Sequence, residues 1–335
     1  MRRFVRAFAP ASVANLACGF DILGLALRPL DGGSASLGDV VTASRHGRRR
    51  EPRRRDSVTI AAIAGDRGEL PLASDRNTAG VAAKALLLGE APDTAVTLEI
   101  EKRMPLESGL GSSAASAVAA VLAVDALLGL DLPPQTLLRY AVAGETASDG
   151  GTHADNLAPS LLGGLVLVRS LEPAPDVIEL PVPPGLTCAV ARPHLGVNTR
   201  DARAALGGQV PLRHAVTQWG NCAALVAALY CGDLELLSRA LVDVVAEPAR
   251  SPAVPGFAAA KAAATAAGAL GCSLSGSGPA MFALCDGVAR AREVAEAMAA
   301  TLRDASGREC DRWVAPLPAP GARVIEDARS SRDRD

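Results

Sequence analysis

The segment PLESGLGSSAA, residues 105–115, sets two glycines and a serine pair directly ahead of a long Ala/Val/Leu pattern. Gly109 and Gly111 carry no Cβ, so the backbone N–H groups beside them can approach an anion closely. A helix opening near Ser112 adds the positive end of its dipole and its unbonded first-turn N–H groups. Ser112 and Ser113 offer hydroxyls to a phosphate oxygen or to magnesium, a hard cation that often takes only one or two protein oxygens. The loop lacks the lysine of G-x-x-x-x-G-K-[ST] and is no Walker loop. On its residues alone it fits a phosphate site or a tight turn before a buried helix.

Four other segments carry candidate chemistry. Glu145, in YAVAGETASDGG, suits a second magnesium ligand or a surface carboxylate. His153, Asp155 and Asn156 sit between glycine pairs in GGTHADNLAPSLLGG (150–164), as site-loop residues do, although His153 equally suits a helix cap. SLSGSGPAMFALC (273–285) is a second glycine-serine loop of anion-friendly build. In APASVANLACGFDILGLAL (9–27), Ser12, Asn15 and Asp21 are the polar side chains of an apolar stretch, and such groups need partners from protein or ligand.

The elements that must position these residues alternate between strand and helix. Residues 3–9, 39–44, 57–65 and 95–101 read as strands, with Thr78–Gly89 helical between the last two. The glycine loop then opens a long helix, interrupted only by Asp125 and Gly129 and too polar for a membrane span. A helix over 134–147 and a strand over 163–170 follow. Five prolines in 171–185 mark a boundary, dividing the chain into 1–170 and 171–325. Beyond it the pattern predicts a strand from Leu186, helices over 201–206, 213–230, 233–245 and 256–270, a turn and strand over 271–286, and a helix over 288–302. The tail 326–335 is expected to fray. This is an α+β pattern.

Composition excludes several classes. Apolar residues make up 49% of the 335-residue chain but aromatics only 3%, so Ala, Val and Leu must do the packing. A net charge of −2 gives no general case for nucleic acid or a membrane surface. The seven arginines between Ser44 and Asp56 read as a solvated hairpin loop, with a polyphosphate or nucleic-acid site as the lesser reading. Seven cysteines without a CxxC pair argue for reduced thiols and a cytoplasmic protein rather than a disulfide frame or zinc site.

Taken together, PASVANLACGFDILG, PLESGLGSSAAS and SLSGSGPAMFALCD resemble, in order and spacing, the three signature segments of the GHMP small-molecule kinase family. GGTHADNLAPSLLGG and VVAEPARSPAVPGF are similar to its homoserine kinase branch, and the resemblance runs from about Ala7 to Ala322. It implies a GHMP kinase fold, with an N-terminal ribosomal S5 domain 2-like α/β domain and a C-terminal ferredoxin-like α/β sandwich. It also implies phosphorylation of the L-homoserine hydroxyl by ATP with Mg2+. The ATP phosphates would lie over Pro105, Leu106, Glu107, Ser108, Gly109, Leu110, Gly111, Ser112, Ser113, Ala114 and Ala115. Asn77 and Lys102 would contact the nucleotide, and Ser112 and Glu145 would hold magnesium.

The substrate offers a chemical check. Homoserine is a zwitterion with a free hydroxyl. Arg203 and Arg250, at the family's two arginine positions, suit its carboxylate, which a guanidinium can bind through two parallel hydrogen bonds. Asp21 suits its ammonium, and Asn15, His153 and Asn156 suit the hydroxyl. Asn156 also stands where some relatives carry an aspartate base, which implies transfer without a dedicated base. Cys18 departs from the family's usual proline, and the arginine run 45–55 is not part of the pattern. The resemblance by itself also admits another GHMP kinase, acting on a mevalonate- or shikimate-type alcohol, or a non-catalytic ligand sensor. Its analogy extends to a homodimer.

Overall fold

The computed structural model describes residues 2–30, 37–45, 57–149 and 153–329. The arginine run beyond Arg45, the turn at Asp31-Gly32-Gly33, Gly150–Thr152 and the last six residues lie outside them. Three sheets organise the molecule. The first contains β1 (Arg2–Pro10), β4 (Gly38–Arg45), β5 (Val58–Ala64), β6 (Val96–Glu101) and β13 (Arg323–Arg329), in the order β13-β1-β4-β6-β5. Only β5 and β6 run parallel, joined by the crossover helix α1 (Thr78–Glu90). The second contains β2 (Ser12–Ala14), β3 (Leu23–Ala26), β7 (Leu165–Ser170) and β8 (Asp176–Leu180), antiparallel throughout. The third orders β10 (Gly271–Leu274), β11 (Met281–Asp286), β9 (Leu186–Pro193) and β12 (Cys310–Pro316), also antiparallel.

The expected α+β architecture is present, and its differences from the sequence reading have local causes. Residues 326–329 do not fray, because β13 pairs with β1 and returns the end of the chain to the first sheet. The proline-rich segment 171–185 is not a bare linker, since β8 forms within it and pairs with β7 across residue 170. The helix expected over 233–245 is α7 (Leu234–Ala240), followed by the separate short α8 (Ala246–Arg250). Asp243 stands between them and caps the second, its carboxylate accepting from the N–H groups of Val245, Ala246 and Glu247.

Helix α2 (Ser112–Leu128) passes through the centre of the N-terminal half, against β1, β4, α1, α3 (Pro134–Asp149) and α4 (Leu157–Leu162). It is buried on every side from Ala114 to Val121, which explains why no hydrophobic stripe is visible in its sequence. Alanines allow these close neighbours to approach it. In the third sheet, Ala189 and Ala191 face α9 (Phe257–Ala266) and α10 (Val288–Ser306), while Cys188 and Val190 face the main core. That core includes inner residues of α6 (Leu212–Cys231) and α7. Both faces are covered, so LTCAVARP and MFALC read as continuous apolar runs. Helix α5 (Thr199–Ala204) lies outside this core and carries Arg203.

One buried ion pair ties sheet to central helix. Lys102 Nζ bonds the Asp39 carboxylate, with side chains only 2% and 0% exposed. It also donates to the Ser112 carbonyl at 2.8 Å and Ser116 Oγ at 2.8 Å, and Ser116 Oγ bonds Asp39 at 2.7 Å. β4, the end of β6 and the first turn of α2 therefore share one charge network. Replacing one partner strands the other charge in an apolar interior. Lys102→Met is expected to lose about 3–5 kcal/mol of unfolding free energy in a urea titration. Pairing it with Asp39→Asn is expected to recover part of that loss, and a single-variant loss below about 1 kcal/mol would contradict the role given to this pair.

Candidate active site

The loop 105–111 is held by its carbonyl edge. Glu107 O accepts from Val197 N at 3.3 Å, Ser108 O from Ala280 N at 3.2 Å, Gly109 O from Ser275 Oγ at 2.6 Å, and Leu110 O from Ser12 N at 3.1 Å. With those carbonyls engaged, Glu107, Ser108, Gly109 and Gly111 line a cavity of about 910 Å3. Gly109 and Gly111 have φ of 77° and 69°, the left-handed region that glycine enters without strain. They also permit contact. A Cβ on Gly109 would lie 2.8 Å from Gly278 O, and one on Gly111 would strike Ser12 Oγ and sit 2.8 Å from Asn156 Oδ1. Gly111 precedes α2 without a side-chain cap, so the helix meets the cavity with its first-turn amides uncapped by any side chain.

Beside that helix start, Ser113 Oγ donates to Glu145 Oε1 at 2.9 Å. Ser112 Oγ is buried without a hydrogen-bond partner among the described residues. A buried hydroxyl so placed beside a carboxylate is an oxygen set that fits magnesium. Among the described residues no cluster of three or more His, Cys, Asp or Glu forms a further metal site.

The opposite side of the cavity is built from opposed charges. The turn after β2 bends tightly, with Asn15, Leu16, Ala17 and Asp21 all at positive φ. Its Asn15 Oδ1 accepts from Asp21 N at 3.1 Å, and Asn15 Nδ2 donates to Gly276 O at 3.3 Å. Arg203 grips Asp21 through two contacts of 2.9 and 2.7 Å, and His153 Nδ1 lies 3.5 Å from the same carboxylate. Arg250 donates to Gly276 O at 2.9 Å and Ala202 O at 3.3 Å. Burial lowers its pKa, an effect that Asp21 partly offsets. Asn156, at the start of α4, accepts from Ser12 Oγ at 2.8 Å. Asp155 lines the same cavity, and its carboxyl is pushed up to about 7, first by burial and then by the negative charges of Asp21 and Glu145.

The cavity therefore brings together Asn15, Asp21, His153, Asn156, Arg203 and Arg250 with Ser112, Ser113 and Glu145. The remaining expected residues are placed differently from one another. Leu110, Ala114 and Ala115 are fully buried and, like Pro105, do not line the cavity. Asn77 and Lys102 do lie in its wall, but their polar atoms serve the protein. Asn77 caps α1 by accepting from Ala79 N and donates to Pro71 O, while Lys102 is held by Asp39 beneath the loop. The glycine loop after β10 is not an anion cradle, since Gly276 N donates to Ala14 O and Gly278 N to Ser275 O. It is the Gly276 carbonyl that serves the site. Phe20 escaped the sequence reading. Its ring lies beneath both site arginines, 5.2 Å from Arg203 and 5.1 Å from Arg250, and only its place beside Asp21 hinted at this.

Comparisons with known proteins show which family this fold belongs to. Residues 77–164 match the family model for the GHMP kinases N terminal domain, and residues 224–304 match that for GHMP kinases C terminal. The chain is 43% identical over 327 residues to a homoserine kinase of Chloroherpeton thalassium, covering 96% of this chain and 99% of that one. It is also 43% identical over 325 residues to a homoserine kinase of Xanthomonas campestris, with coverages of 96% and 94%. A crystal structure of homoserine kinase from Cytophaga hutchinsonii superposes with a TM-score of 0.88 at 42% identity, covering 97% of this chain and 98% of that one. With its fold, its loops and these relatives in agreement, the chain belongs to the homoserine kinase branch of the GHMP kinase family.

Proposed function

We propose that this chain phosphorylates the side-chain hydroxyl of L-homoserine with ATP and magnesium. The observation that carries the reading is the division of one cavity into two chemistries. An uncapped helix N-terminus beside Ser112 and Glu145 forms one side, and Asp21 opposed by Arg203 and Arg250 forms the other. The first suits phosphate and a hard cation, the second a zwitterion. A mevalonate- or shikimate-type acceptor carries no ammonium and would leave Asp21 without a ligand charge to meet.

Magnesium-ATP supplies the phosphoryl group with part of its charge already neutralised. Ser112 and Glu145 would hold the metal, and the α2 amides would face the phosphate oxygens. Asp21 would take the substrate ammonium, giving up part of its pairing with Arg203, whose guanidinium then joins Arg250 on the carboxylate. Asn156 Oδ1 already accepts from Ser12, so its Nδ2 is the end that can donate toward the hydroxyl. An amide takes no proton at neutral pH. As the new oxygen–phosphorus bond forms and the bond to ADP breaks, the hydroxyl proton leaves to a phosphate oxygen or to solvent. Of the five carboxylates that line the cavity, Asp21, Glu69, Glu107, Glu145 and Asp155, Asp21 would meet the ammonium and Glu145 the metal.

A coupled assay for ADP across L-homoserine, mevalonate and shikimate is expected to give turnover with L-homoserine alone; none with homoserine, from folded protein and magnesium-ATP, overturns the proposal. Arg250→Leu and the less buried Arg203→Leu are each expected to raise KM for homoserine roughly a hundredfold, against a change of no more than about threefold for ATP. Equal effects on both substrates would contradict a carboxylate contact. Asp155→Asn is expected to keep substantial turnover, and complete loss with ATP binding intact would reinstate a dedicated base. The same variant tests the Asp155 environment. A carboxyl raised from 3.8 to about 7 favours the folded state most below pH 3.8, and that advantage disappears as pH rises through 7. The melting temperature of Asp155→Asn should therefore exceed that of wild type at pH 8 and approach it at pH 5.

A further inference from the structure

One side chain on the acceptor side has no part in the transfer and no place in the cavity wall. Phe20 does not line the cavity, yet its ring centroid lies 5.2 Å from the Arg203 guanidinium carbon and 5.1 Å from that of Arg250. Both distances fall inside the roughly 6 Å over which the negative face of a ring attracts a cation. The chain packs chiefly with Ala, Val and Leu and has only five phenylalanines, so a ring is not its ordinary means of filling space. A leucine could occupy the same half-buried position but would offer a cation nothing.

The ring is fixed by its own backbone, independently of the arginines. Gly19 O accepts from Ile22 N at 3.0 Å and Leu23 N at 2.9 Å, and Gly19 N donates to Asn15 O at 2.8 Å. On the other side of Phe20, Asp21 N donates to Asn15 Oδ1 at 3.1 Å. The arginines are not equally fixed. Arg250 is buried and donates to two carbonyls, whereas the Arg203 side chain is 42% exposed and pairs with Asp21. The two guanidiniums also repel each other. Burial is the main cause that lowers the Arg250 pKa; Asp21 opposes it, and the charge of Arg203 adds to it. An entering ammonium would claim Asp21 and so remove part of that opposition. The aromatic face is a contact that both arginines can keep whichever anion they hold.

We infer that Phe20 is a positioning residue for the acceptor: the face of its ring holds Arg203 beside Arg250 while Arg203 exchanges Asp21 for the substrate carboxylate. The inference rests on the reading of the acceptor as L-homoserine, and adds that the electron density of this ring, not its bulk alone, sets the affinity for it. Because Phe20 stays outside the cavity, its effect reaches the substrate through the carboxylate end, away from the reacting hydroxyl. Ground state and transition state are then served alike, so KM moves rather than kcat. Fluorine atoms on the rim of a ring withdraw density from its face stepwise, with little change of shape, and weaken its hold on a cation.

The full chain carrying mono-, di- or trifluorinated phenylalanine in place of Phe20, introduced by nonsense suppression, tests this in the ADP assay. KM for L-homoserine is expected to rise with each fluorine, to roughly tenfold for the trifluorinated ring. Neither kcat nor KM for ATP should change more than about twofold, and the melting temperature should show no trend with fluorine count. Phe20→Leu is expected to match or exceed the trifluorinated chain, and Phe20→Tyr to stay within about threefold of wild type. A KM for homoserine that is flat across the fluorine series, with the wild type active, overturns the inference and leaves the substrate reading standing. So does a rise that KM for ATP or the melting temperature follows in parallel, which marks a ring that only fills space. Absence of wild-type turnover with homoserine removes the substrate reading and this inference with it.

Discussion

The site depends on the anchoring of four consecutive carbonyls. Residues 107–110 are tied to Val197, Ala280, Ser275 and Ser12, which come from three separate stretches of chain. Each bond is worth only about a kcal/mol net, yet together they orient the loop, and Leu110 N is held in turn by Ser108 Oγ at 3.3 Å. Gly109 and Gly111 make this possible in two ways. They adopt left-handed backbone angles and they allow contact distances that a Cβ would forbid. The segment that faces phosphate in the proposed reaction is thus also the seam joining the N-terminal loops to the C-terminal sheet.

The missing P-loop lysine has a structural counterpart. Lys102 is the lysine in this cavity's wall, and its ammonium lies behind the helix start rather than in front of it. There it neutralises Asp39 and fixes the Ser112 carbonyl, so it positions the amides that would otherwise share the phosphate with a lysine. A buried pair of this kind contributes little beyond its own desolvation cost, but losing one member is expensive. Its value here is one of placement. It keeps the edge of β4, the end of β6 and the first turn of α2 in a single arrangement.

The acceptor side uses strain and charge in place of a large apolar pocket. Four non-glycine residues at positive φ in one short turn carry a conformational cost that the surrounding bonds must hold in place. Asn15 and Arg250 share the Gly276 carbonyl, and Phe20 supports both arginines from below. Asp21, Arg203 and Arg250 are thereby held close with opposite signs, an arrangement that a zwitterion can enter by exchanging partners.

Sequence alone determined the α+β class, most helices and strands, the family, and most of the residues named for the cavity, though not the burial of Leu110, Ala114 and Ala115 away from it. These are properties of periodicity, glycine placement and short motifs, which are local. It did not reveal that β13 closes the first sheet, that β8 forms among prolines, or that Phe20 lies under two arginines. Those facts rest on pairings between residues far apart in the chain, for which no local pattern exists. The tertiary structure also gave three polar groups their partners. Lys102 bonds Asp39 and Asn77 caps α1 while both line the cavity, and the Gly276 loop serves through its carbonyl rather than its amide. Residue type tells what a group can bond to; only the packed fold decides which partner reaches it first, because a buried donor or acceptor must be satisfied where it stands.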